Sequence, residues 1–243
     1  MELMRVSDQL FPWTKNDQEG SDVQPRATMT AEEFSVYCYI GFRIGGIGEL
    51  DLNPLHVMHD LVNKRIGGVN AIIQSVLQKT QVYGWGTVLK QIDPNRPRAK
   101  SPNITIEGVE VPIQSGQHCE IITLKEYKAL REEYRGIRGG PTNALWVFMA
   151  IRSHMLTYRV PGKKDIHGAV LSTKQLKAWT GLSDRTCFDY VQTLVRLKLI
   201  IKEPGKTGYP CTYALGDSPE DLEVVKKTVK DRREKMAKMF AKE

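Results

Sequence analysis

"LSTKQLKAWTGLSDRTCFDYVQTL", residues 171–194, is the stretch on which the fold turns. Both of its ends place apolar residues at helical spacing. Its middle, Thr180-Gly181-Leu182-Ser183, is no helix interior, because glycine and an N-capping serine interrupt regular helix. The chain then restarts with an exposed polar run, Asp184-Arg185-Thr186.

A helix-turn-helix accounts for that break. One helix packs across a second, and the second keeps one face bare for a DNA groove. The geometry asks for a tight turn at Gly181, an apolar plug at Leu182 and a new cap at Ser183. Ser172 or Thr173 caps the first helix, whose buried positions are Leu176 and Trp179. In the second helix Cys187, Val191 and Leu194 follow i, i+4, i+7, which is a core stripe, and Leu197 extends it. The opposite face presents Arg185, Thr186, Asp189, Gln192 and Arg196. Arginine and glutamine pair bidentately with guanine and adenine edges respectively. The helix N-terminus also offers free backbone N–H groups to a phosphate.

The spacing "STKQLKAWTGLSDRTCFDYVQTLVRLKLI" resembles the winged helix-turn-helix domains of GntR-type repressors and of DnaD-like initiation proteins of phages and plasmids. The L-S-x-x-T turn at Leu182–Ser183–Thr186 and the L-x-L-I exit at residues 197–200 carry the likeness, which covers residues 142–215. The resemblance implies DNA contacts from Ser183, Asp184, Arg185 and Thr186, and from a wing. In those families a further arginine commonly follows the turn; here Phe188 and Asp189 stand there. The wing is expected between two strands, at 199–202 and 210–215, and holds Lys202, Lys206 and Thr207.

Working outward, residues 1–27 read as a flexible arm. From Thr28 the pattern is helical: Thr28 or Thr30 can cap, Thr30-Ala-Glu-Glu33 resembles a capping box, and Phe34, Tyr37, Cys38 and Phe42 make one apolar face. Asn53-Pro54 opens a second helix, Gly67-Gly68 break the chain, and Asn70 starts a third. Strands are expected at 82–92 and 104–113. Between them lies a basic, proline-rich loop with Arg96, Arg98 and Lys100. A strand-like start and a charged helix fill residues 117–138, an apolar helix follows at 142–158, and a basic loop spans 161–168. Residues 218–243 form a long charged helix. Leu222, Val225, Val229, Met236 and Met239 or Phe240 lie on its one apolar stripe, with Arg232 interrupting.

The expected fold is therefore α+β, mainly helical with small hairpin wings. It comprises a winged-helix-like domain at 28–115, a winged helix-turn-helix at 116–217 and a terminal helix at 218–243. Both halves run helix, helix, turn, helix, strand, loop, strand.

A net charge of +7 favours polyanionic partners, double-stranded DNA first. Four cysteines without a CxxC pair fit a reducing compartment, and no signal peptide or membrane span is read, so the expected location is cytoplasmic. The phosphate-loop look of "EPGKTG" fails, since Ile200 stands where a glycine is required and a strand follows instead of a helix. His56 and His59 lack a third metal ligand, strand packing explains Cys119, and "RGIRGG" has the wrong flanking elements for an RNA-binding KH loop. Neither a cofactor, a metal nor a catalytic constellation is expected.

The function so read is sequence-specific DNA binding in plasmid or phage replication initiation. A transcription or partition regulator and a protein-interaction adaptor are the alternatives. Homo-dimerisation or higher self-assembly is expected, and the C-terminal helix offers a surface for a replication or regulatory protein.

Overall fold

The structure is a computed structural model that describes residues 3–7, 10–11, 28–44, 49–52, 57, 66–82, 87–88, 104–107, 119–137, 139–203 and 210–240. The chain divides into two compact units, Met1–Trp146 and Val147–Glu243. The described residues are mostly helical, with small antiparallel sheets.

In the first unit, helix α1 (Ala31–Ile44) begins at the expected capping box. The Thr30 N–H donates to Glu33 Oε2 at 2.7 Å, and the Glu33 N–H donates to the Thr30 hydroxyl at 3.3 Å. An amphipathic helix with one buried face was expected. Instead every residue from Phe34 to Ile40 is buried, Val36, Tyr39 and Ile40 included. The reason is a strand the sequence hid. Strand β1 (Leu3–Ser7) pairs antiparallel with a later strand, β5 (Cys119–Thr123), and also packs on α1. Met4 and Val6 bury their side chains, so this part of the supposed flexible arm is ordered sheet. Met4 packs so closely on Gly41 that a Cβ there would meet its sulfur at 2.7 Å.

Helix α2 (Ile66–Val82) packs on α1 through Val69, Ile73, Val76 and Leu77. Gly67 and Gly68, expected to break the chain, lie inside its first turn. Burial of the four apolar residues outweighs a cost of about 1 kcal/mol per helical glycine. Val82 ends this helix instead of starting a strand. Strands β2 (Glu49–Leu52), β3 (Thr87–Val88) and β4 (Ile104–Glu107) form one antiparallel sheet in the order β2-β4-β3. Helix α3 (Leu124–Glu133) is capped by a Thr123/Glu126 box. Phe11, Phe34 and Trp146 pack their rings at tilted angles with centroids 5.2–5.8 Å apart.

Helix α4 (Gly140–Arg152) stops short of the expected residue 158. Strands β6 (Leu156–Tyr158) and β7 (Ile166–Leu171) follow as a hairpin, where a helix end and a basic loop were expected. Then come α5 (Thr173–Thr180), α6 (Asp184–Arg196), β8 (Ile200–Glu203), β9 (Cys211–Leu215) and α7 (Pro219–Phe240). The sheet of the second unit runs β6-β7-β9-β8, all antiparallel. Strand alternation gives it two faces. Ile166, Ala214 and Ile201 pack with Leu222 and Val225 of α7. Gly168 shares that face, because a Cβ there would collide with Val225 and come within 2.9 Å of the Tyr213 carbonyl. Lys202 points to the other face, where its ammonium lies over the Phe188 ring of α6.

The two units thus repeat one strand order. In each, three antiparallel strands are ordered so that the first, which precedes helix, pairs with the third, and the second lies on the third's other side. These are β2-β4-β3, with α2 between β2 and β3, and β7-β9-β8, with α5 and α6 between β7 and β8; the second unit adds β6 beside β7.

Candidate nucleic-acid interface

The turn between α5 and α6 is built by local hydrogen bonds. Ser172 caps α5 through a box with Gln175, donating its N–H to the Gln175 side chain at 2.9 Å and accepting the Gln175 N–H at 3.2 Å. Gly181 ends the helix at φ 71°, a left-handed conformation that glycine adopts without a Cβ penalty. The Thr180 hydroxyl donates to the Leu176 carbonyl at 2.7 Å and accepts the Leu182 N–H at 3.3 Å. It also lies 3.5 Å from Cys187 Sγ, which ties the turn to the first turn of α6. Burial raises the Cys187 thiol above its ordinary pKa, so the group behaves as core. Trp179, expected in the core, is only half-buried and stacks on His154 with centroids 3.7 Å apart. Burial holds the His154 imidazole below its ordinary pKa, against the raising effect of the Ala150 carbonyl.

Helix α6 is sharply two-faced. Cys187, Val191 and Leu194 are buried, as their spacing predicted. Ser183, Asp184, Arg185, Asp189, Gln192 and Arg196 are exposed, and Thr186 is half-buried. Ser183 is the N-cap, its hydroxyl accepting the Thr186 N–H at 3.1 Å and lying 2.8 Å from the Thr186 hydroxyl. Two ion pairs organise the surface. Arg185 Nε donates to Asp189 one turn on at 3.2 Å, and Lys177 of α5 sits 3.6 Å from Asp184. Both pairs are solvent-exposed and so individually weak, which leaves the cations available to an anion.

Lys202 is half-buried, with its Nζ 5.3 Å from the Phe188 centroid. Lys206 and Thr207 of the expected wing, and Arg96, Arg98 and Lys100 of the first unit's loop, lie outside the described residues. So do His56 and His59. Among the described residues no group of three histidines, cysteines or carboxylates could hold a metal, and no helix is long and apolar enough to cross a membrane.

Two contributors were missed from the sequence. Phe188 is 45 % exposed at the edge of the polar face. Its displacement of an expected arginine was the available signal. Lys177 joins the surface from α5, one turn before the break, at a position periodicity marks only as polar.

This surface carries cationic, amide and hydroxyl donors on one helix, beside a strand pair leading to a basic connection. It can grip a polyanion and present directional donors to it. Comparison with protein-family models, curated proteins and solved structures finds no match to the chain.

Proposed function

We propose that the protein is a sequence-specific double-stranded DNA-binding protein built from two winged-helix-like modules. The carrying observation is α6: a helix introduced by a left-handed glycine turn, anchored by Cys187, Val191 and Leu194, with Arg185, Gln192 and Arg196 exposed opposite. In this reading α6 enters the major groove. Arg185 and Gln192 meet base edges, while Ser183, Thr186, Arg196 and Lys202 meet phosphates. Lys206 and Thr207 extend the contact from the connection after β8.

The strand pattern shared by β2-β4-β3 and β7-β9-β8 supports a tandem reader, an arrangement that resembles plasmid replication initiators. Replication initiation in the cytoplasm is the role we favour, with transcription or partition control as the alternative. Self-association and a further replication partner are assigned to α7, whose residues 230–239 are exposed on every side. No catalytic step, metal or cofactor is part of the proposal.

A second reading rests on Asp184 and Asp189, which place negative charge on the same face and engage Lys177 and Arg185. It makes the protein an adaptor that docks another protein. Equilibrium binding to random duplex at several salt concentrations separates the two, because only counterion release from DNA gives a steep, linear log–log fall in affinity.

A further inference from the structure

We infer that Phe188 reads the C5 methyl group of a thymine in the major groove. The inference rests on the DNA-binding reading above and deepens it. Phe188 is three residues after Arg185 and four before Gln192, so the three share one face of α6. It is 45 % exposed, whereas the helix's other apolar anchors, Cys187, Val191 and Leu194, are at most 2 % exposed. The Lys202 ammonium lies over the ring, 5.3 Å from its centroid. A phenyl group left in water favours any ligand that covers it with apolar atoms.

The surroundings decide what that ligand is. Arg185, Asp189, Gln192 and Lys202 are charged or polar, and Phe188 is the one large apolar residue of α6 that is exposed. Protein docking surfaces are wider than this, typically several hundred Å². A major groove lined with donors and acceptors offers one small apolar group, the thymine methyl, and phenylalanine is one of the side chains that contact it. Lys202, beside the ring, is placed to take the neighbouring phosphate. The ring and its ammonium then address a methyl group and an anion side by side.

The test uses the full chain and a duplex selected by it from a random pool. Each thymine in the selected site is replaced in turn by deoxyuridine, which lacks only the methyl. Wild type should lose about fourfold in affinity at one thymine, the value of one buried methyl. Phe188→Ala should bind the thymine duplex more weakly by a similar factor and show no further loss on that deoxyuridine duplex. The inference is overturned if no thymine is sensitive, or if Phe188→Ala retains the wild-type sensitivity. Arg185→Ala on the same duplex separates the two levels. Loss of specificity in that variant with no sensitive thymine leaves the DNA-binding reading standing and removes Phe188 from it. Selection of no duplex removes both.

Discussion

Arg185 donates from Nε to the Asp189 carboxylate, 3.2 Å away and one turn further along the same exposed helix face. The group best suited to a guanine edge is thus held by a group that repels DNA. Such an i, i+4 pair is worth about 0.3–0.5 kcal/mol in an exposed helix, so it orients the arginine without sequestering it. Asp189→Asn removes one negative charge from the surface and frees Arg185. Its affinity for random duplex should rise several-fold at low salt, with little change in melting temperature. Fluorescence anisotropy on random and selected duplexes checks both, and a fall in affinity for random duplex would mean that Asp189 supports the bound state.

Gly168→Ala tests how the second unit's sheet meets α7. The added methyl would run into Val225 and the Tyr213 carbonyl. Overpacking of this kind costs about 1–3 kcal/mol. Thermal unfolding of the variant should show a lower midpoint, and Gly168→Ala combined with Val225→Ala should recover part of the loss.

The turn between α5 and α6 was legible because its determinants are local. Gly181, Ser183 and the Cys187–Val191–Leu194 spacing all fall within one short stretch, and each specifies its own geometry. The hairpin before it was not legible. Strand β7 exists because Gly168 to Leu171 pair with Ala214 to Cys211, far along the chain. Gly168 looks like loop chemistry until Val225 shows why no side chain fits. Strand β1 was hidden for the same reason, since its partner β5 lies over a hundred residues away. That pairing also explains why α1 is buried all round instead of on one face. Of the expected interface, the α6 residues could be placed, whereas the apolar Phe188 went unassigned because periodicity treats an exposed ring as an error rather than a contact.

Glu33 should make folding stability pH-dependent. It is 6 % exposed and accepts from Lys79 at 2.7 Å, from the Ser75 hydroxyl and from the Thr30 N–H. Burial raises its pKa, but these donors outweigh burial and hold it below the ordinary value. A carboxyl whose folded pKa is depressed stabilises fully above its unfolded value, about 4.3, and loses that contribution as pH falls through the folded value. Wild type should therefore lose stability on acidification below about pH 5. Glu33→Gln should be less stable at neutral pH by about 1–3 kcal/mol and show a flatter acid limb. Denaturant titrations across that range decide it, and an unchanged acid limb in Glu33→Gln would mean that other carboxylates control acid unfolding.

Gly181→Ala should cost about 1–2 kcal/mol, because alanine strains the left-handed turn at φ 71°. Nothing lies within 4 Å of a Cβ built there, so the loss is one of backbone conformation and not of packing. Gly181→Asn should recover much of it, since asparagine tolerates that region. The comparison is read from urea midpoints.

The most direct measurement of the central claim is the binding of wild type and Arg185→Ala to a selected duplex and to random duplex, across a salt series. Wild type should bind both, with affinity falling steeply and linearly on logarithmic axes as salt rises. Arg185→Ala should lose about 1–3 kcal/mol on the selected duplex and little on the random one. Binding of neither duplex at about 50 mM salt, or equal binding of the selected duplex by Arg185→Ala and wild type, would contradict the placement of α6 in a DNA groove.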